Sequence, residues 1–299
     1  MDKIVKLKPV IKSYIWGGKY FQPYFHRDEE KISELWVLST RENNSAIIDS
    51  GIDKGKPLNE VIDDRDLGPI QDRFSYFPLL IKLIDAQDNL SVQVHPNDEY
   101  ALKNEHSYGK TEMWHIIDAD EGSGIYIGLN NDYTKEEIKN SLDDGSIIDK
   151  LNFVKVKKGD TYLIKSGTIH AIGKGVRIIE IQQNSDLTYR LYDYKRKDKD
   201  GNYRELHIDK AIQVIDYHKY DIKQNHSNLL ADTSFFHVER KEFDKELVIK
   251  ADKSFISFTF LEGEGMVDDI PFKKFDTFFL PFNKVCKIQG NGLVIISRV

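Results

Sequence analysis

Apolar and polar residues alternate along Ser91-Val92-Gln93-Val94-His95, a stretch closed by Pro96. A β-strand sends successive side chains to opposite faces. Val92 and Val94 are therefore expected in a hydrophobic layer, with Ser91, Gln93 and His95 together on the other face. Similar short patterns recur along the chain and predict strands over residues 34–39, 45–49 (closed by Gly51), 78–85, 110–117, 154–156, 161–164, 176–182 and 188–194. Residues 4–16 alternate imperfectly and end in the turn Trp16-Gly17-Gly18. Helical patterns are fewer. They cover residues 58–63, a stretch from Asp98 as N-cap to about residue 105, a segment capped by Thr134 with Glu137 three residues on, and residues 207–215. The charged run 195–201 reads as an exposed hairpin tip.

Many short strands with Gly and Asp turns predict a mainly β protein built from barrels or sandwiches. The polar stretch 217–228 reads as a connection, so two units are expected, residues 1–216 and residues 217–299. A chain of 299 residues accommodates both. The net charge of -6 does not suit a nucleic-acid or anionic-membrane surface, although a few local cations suffice for a small anion. Residues 1–8 are interrupted by charge and lack the apolar core of a secretory signal. The most apolar run, residues 77–84, is short and contains Lys82, which excludes a conventional membrane-spanning helix. Cys286 is the only cysteine, so neither an intrachain disulfide nor a cysteine-based zinc site is available. A cytoplasmic location follows as the expectation.

Three segments extend what Gln93 and His95 begin. In Gly109-Lys110-Thr111-Glu112-Met113-Trp114, alternation puts Lys110, Glu112 and Trp114 on one strand face. A phosphate-binding P-loop is excluded there, because Asn104 stands where its first glycine belongs and a strand follows in place of a helix. In Gly159-Asp160-Thr161-Tyr162-Leu163-Ile164-Lys165-Ser166-Gly167-Thr168-Ile169-His170, a turn, a strand and a glycine two residues before histidine deliver an imidazole at a tight bend. This segment resembles the second motif of the cupin superfamily, with Lys165 where a proline is usual. The third segment runs from Ile179 and Glu180 through Asp186 and Arg190 to Tyr194. Read singly, Glu112 suits an ion-paired strand residue, His170 a turn, and Arg190 a surface pair with Asp186 or Asp193.

Taken in order with Trp16-Gly17-Gly18 and with Glu34 and Trp36, these segments make essentially the whole chain resemble the type I phosphomannose isomerases, in their short bacterial form. The resemblance implies two cupin-type β-barrels and one zinc ion per chain, held by Gln93, His95, Glu112 and His170. Two imidazoles, a carboxylate and a carboxamide also suit a borderline divalent ion on chemical grounds. It further implies a sugar-phosphate substrate and an aldose–ketose isomerisation through an enediol. Arg190 matches the active-site arginine, and Glu180 is the first candidate for the base, ahead of a metal-held water. Ser91 and Lys110 match pocket positions, with Lys110 as a phosphate contact helped by Ser91 and Arg190. Trp16, Glu34 and Asp186 complete the expected pocket. The competing readings are a non-catalytic sugar-phosphate binder, a different metal-dependent cupin such as a dioxygenase, and an isomerase of another phosphorylated hexose.

Leu261-Glu262-Gly263-Glu264-Gly265 and residues 275–281 resemble a cupin half-repeat without histidine, so the C-terminal unit is expected to support the first and to hold no metal. Two barrels in one chain favour a monomer. His115 falls off the Glu112 face and reads as structural. His26, His106, His207, His218, His226 and His237 carry no ligand spacing.

Overall fold

The computed structural model describes every residue except 2, 26–30, 198 and 199; His26 and part of the 195–201 hairpin lie outside the described residues. The protein is mainly β, and apart from the small hairpin of Thr40–Arg41 and Asn44–Ser45 its described strands form three stacked antiparallel layers. The middle layer is a six-stranded sheet in the order Thr161–Ile164, Glu112–Ala119, Val176–Gln183, Leu79–Ala86, Glu34–Leu38 and Val10–Lys12. Leu79–Ala86 and Val176–Gln183 are buried along their whole length. That explains why Leu79–Ala86 reads as an apolar run: a strand covered on both faces has no solvent side to mark with polar residues.

One face of this sheet looks onto a five-stranded sheet in the order Leu151–Lys155, Gly124–Leu129, His170–Ile172, Val92–Val94 and Tyr189–Tyr192. Ile84, Trp114, Ile116 and Ile178 from the first sheet meet Ile125, Ile127 and Ile172 from the second, filling the space between them. The outer face of the five-stranded sheet carries Val92, Val94, Tyr189 and Leu191, which pack against Ile138 and Leu142 of the helix Lys135–Asp144. The alternation read from residues 91–95 is thus realised, with its valines outward against helices and its polar face inward.

The third layer is an eight-stranded sheet built around the long strands His237–Lys250, Ile256–Val267 and Val285–Arg298. Its Val238, Phe255, Phe279, Leu293 and Ile295 pack with Leu35, Val37, Ile81, Ile179 and Ile181 on the other face of the six-stranded sheet. A second apolar cluster, with Phe258, Phe260, Phe278 and Ile288, fills the far side. Val5–Lys8 and Ile47–Ile48 join this C-terminal sheet, Val5–Lys8 pairing with Thr277–Leu280. No helix among the described residues is long and apolar enough to cross a membrane.

Several boundaries differ from the sequence reading. The helix Asp98–Glu105 is capped by Asn97, whose side chain accepts the Tyr100 N–H at 2.9 Å. Asp98 instead accepts from the Gly109 N–H at 2.8 Å and from Gln183 Nε2 at 3.0 Å. The segment predicted over 58–63 is a 3-10 turn, Leu58–Glu60, and that over 207–215 is helical only across Ile208–Ala211. Thr134 and Glu137 form the predicted reciprocal cap.

Candidate metal centre and pocket

His170 and Gln93 lie directly opposite each other on adjacent strands, and Gln93 lies opposite Arg190 on its other side. Cross-strand partners share a face, so the three side chains point together into the space between the sheets. Glu112 comes from the facing six-stranded sheet. His95 follows the strand Val92–Val94 and is held by its carbonyl, which accepts the Gly167 N–H at 2.8 Å. Gly109 leads into Glu112 where a Cβ would fall 2.4 Å from the Asn97 carbonyl carbon, so only glycine fits that crossing.

The ligating atoms of His95, Glu112 and His170 lie within 4.8 Å of one another, and all three residues are buried. Nε2 of His95 is 3.5 Å from one Glu112 oxygen, and Nε2 of His170 is 3.3 Å from the other. Each histidine turns its Nδ1 to a carbonyl, Leu187 O at 2.7 Å and Thr168 O at 2.8 Å. A carbonyl can only accept, which assigns the proton to Nδ1 and leaves the Nε2 lone pair facing the centre. Burial is the main force holding His170 down to about 4 and His95 well below the usual histidine range, so both imidazoles are neutral at pH 7.

Both carboxylate oxygens of Glu112 are buried without a hydrogen-bond partner. Lys110 Nζ forms an ion pair with one of them at 2.6 Å and stands 3.2 Å from His95 Nε2. Burial, with Glu180 second, pushes the Glu112 carboxyl up to about 8. A buried carboxylate left this short of partners fits a divalent cation, which would remove the cost of its charge. Nε2 of the Gln93 amide is 3.3 Å from His170 Nε2, and a flip of the amide brings its oxygen to the same place. The residues present therefore suit a metal ion.

Beside this group opens a cavity of about 400 Å³. Trp16, Glu34, Ser91, Gln93, Lys110, Glu180, Asp186 and Arg190 all line it, as does Lys82, Tyr14, Trp36 and Arg204, which the sequence reading did not single out for the site. Lys82 Nζ lies 3.3 Å from Glu180 and 3.6 Å from Glu34. Burial alone would lower its pKa, but Glu34, Glu180 and Glu112 more than reverse this and hold it above the usual lysine range. Burial would likewise raise Glu180, yet Lys110, Lys82 and the Trp114 indole, which donates to Glu180 Oε1 at 3.0 Å, hold its carboxyl down. Glu180 is ionised.

Arg190 Nε donates to Ser91 Oγ at 3.2 Å and Nη1 to the Glu205 carbonyl at 2.8 Å. Its surface-pair alternatives are otherwise engaged: Asp186 pairs with Arg41 at 2.8 Å, and Asp193 with Arg196 and Arg204. His115 lies on the opposite strand face, buried, with Nδ1 2.7 Å from Thr161 Oγ1.

The comparisons with known proteins point the same way. The family described as "Phosphomannose isomerase type I, catalytic domain" matches residues 4–121. The Bacillus subtilis protein "Mannose-6-phosphate isomerase ManA" is 38% identical, over 98% of both chains. The Streptococcus mutans "Mannose-6-phosphate isomerase" is 36% identical, over 93% of this chain and 92% of its own. A crystal structure of the mannose 6-phosphate isomerase from Bacillus subtilis superposes with a TM-score of 0.89 at 33% identity, covering 100% of each chain. With fold, site and relatives in agreement, this chain belongs to the type I phosphomannose isomerases.

Proposed function

We propose that this protein interconverts mannose 6-phosphate and fructose 6-phosphate with one zinc ion held by Gln93, His95, Glu112 and His170. The observation that carries the reading is the buried His95–Glu112–His170 group, its carboxylate oxygens without hydrogen-bond partners, beside a cavity that also presents Glu180 and Arg190. Aldose–ketose isomerisation moves a proton from C2 to C1 through an enediol, which requires a base at the carbon acid and positive charge where oxygen becomes negative. When bound, the ion supplies a Lewis acid and a template for the sugar oxygens.

Glu180 takes the proton: its carboxylate is ionised, faces the cavity and is oriented by the Trp114 indole. Arg190 faces the substrate from the opposite sheet, at its phosphate end. Trp16, Glu34 and Asp186 shape the pocket, while Ser91 and Arg190 reach the phosphate. Lys110, whose ammonium lies against Glu112 and His95, serves a sugar oxygen near the metal group better than the distant phosphate. In this reading residues 1–216 carry the chemistry, residues 217–299 support it, and the protein works as a cytoplasmic monomer.

Turnover of mannose 6-phosphate in deuterium oxide tests the proposal. Fructose 6-phosphate carrying deuterium at C1 is expected, since Glu180 lines the cavity and the proton it holds exchanges with water there. A folded, zinc-loaded protein that binds the sugar phosphate without forming product would make it a non-catalytic binder. Turnover confined to a different phosphorylated hexose would reassign the substrate.

A further inference from the structure

We infer that Arg204 is a phosphate-anchoring residue, paired with Arg190 on the cavity wall, and that the two guanidiniums set the preference for a hexose bearing a phosphate dianion. The inference rests on the sugar-phosphate reading above and adds a residue to it. Among the described residues, four cations line the cavity: Lys82, Lys110, Arg190 and Arg204. Lys82 is held between Glu34 and Glu180, and Lys110 lies against Glu112. Neither is free to meet an incoming dianion without uncovering a buried carboxylate.

The arginines differ. Arg190 contacts a hydroxyl and a carbonyl and forms no ion pair with a carboxylate among the described residues. Arg204 donates from Nε to Asp193 Oδ2 at 2.7 Å and from Nη2 to Asp193 Oδ1, while its Nη1 has no hydrogen-bond partner among the described residues. Asp193 must also serve Arg196, so one carboxylate is divided between two guanidiniums. Asp186, which also lines the cavity, is paired with Arg41. Positive charge is therefore in excess where Arg190 and Arg204 face the cavity. The strain is visible on Arg190, which burial and then Arg204 hold below the usual arginine range.

Local structure keeps the two together. The segment carrying Arg204 returns from a hairpin closed by the Lys197–Tyr203 bridge and then runs beside Arg190. The Glu205 carbonyl accepts from Arg190 Nη1, and the His207 N–H donates to the Arg190 carbonyl at 2.7 Å. Asp193 fixes the plane of the Arg204 fork before any ligand arrives, so little side-chain freedom is lost on binding. Two planar forks and the Ser91 hydroxyl suit a tetrahedral dianion far better than a neutral sugar hydroxyl.

The test compares wild type with Arg204→Gln, using inorganic phosphate as the probe in calorimetry and as a competitor of mannose 6-phosphate. Loss of a charged donor predicts about tenfold or greater weakening of phosphate binding and a KM raised about tenfold, with kcat changed less than about threefold. If Arg204→Gln does not fold, Arg204→Lys keeps the charge but only a point donor, and about two- to fivefold weakening is expected. Unchanged phosphate affinity in whichever variant folds would overturn the inference, as would a fall in kcat at constant KM. Wild type that binds phosphate in an Arg204-dependent way without isomerising anything would sustain the anchor while removing the proposed reaction.

Discussion

Glu112 and Glu180 sit on neighbouring strands of one sheet, yet their surroundings push them in opposite directions. Burial dominates at Glu112, whereas Lys110 and Lys82 overcome it at Glu180. Pairs of carboxyls driven apart in this way suit different tasks, and the proposed function uses them so: Glu112 to hold a cation, Glu180 as the base. Replacing Glu180 with Gln keeps the shape and the indole contact but removes the base. Steady-state assays should then show kcat lowered by about 10² to 10⁴ with metal content per chain unchanged. Metal lost along with activity would mean that Glu180 supports the ligands. His95, Glu112 and His170 stood out only when their segments were read in order as a family resemblance; singly, Glu112 suits an ion-paired strand residue and His170 a turn, and the structure brings the three together. Lys82 was not legible at all: a lone lysine in an apolar run says nothing of which carboxylates fold against it. Glu34 and Glu180, its partners, come from strands far apart in sequence. Arg204 was hidden for the same reason, since its closeness to Arg190 depends on the return path of a hairpin.

At the scale of elements, strand faces were readable wherever one side meets solvent or helix, as at Val92 and Val94, and the Thr134–Glu137 cap was readable from spacing alone. The start of the helix Asp98–Glu105 was misplaced by one residue because Asn97 and Asp98 are both good caps. Tertiary contacts decide between them. Asp98 ties the Gly109 crossing to Gln183 on the strand that also carries Glu180, one residue before Lys110 and three before Glu112. Asn97→Ala should therefore cost about 1 kcal/mol of stability, the ordinary value of a cap. Asp98→Ala removes two charged hydrogen bonds and should cost more, about 2–3 kcal/mol in urea unfolding. Equal costs for the two would show that the Gly109 crossing is held by other means.

The whole molecule is three sheets deep, and the site lies between the first two. Five strands supply Gln93, His170 and Arg190; the facing six supply Lys82, Glu112 and Glu180. Neither sheet alone could assemble the group, so the chemistry depends on the register of both. Behind the six-stranded sheet, the eight-stranded layer covers the faces of Leu79–Ala86 and Val176–Gln183 that point away from the site, which lets these strands stay apolar on that side. Alternation could announce many strands but not their partners: nothing in Val5–Lys8 says that it pairs with Thr277–Leu280. In the proposed function, the buried His95–Glu112–His170 group makes this chain a metal-dependent hexose-phosphate isomerase. The most direct test is a coupled assay of fructose 6-phosphate formation on protein whose metal has been counted, before chelation, after it, and after zinc return. One zinc per chain is expected, with activity lost along with the metal and restored by zinc. Full turnover in metal-free protein, or none in folded protein holding one zinc per chain, would contradict the proposed function.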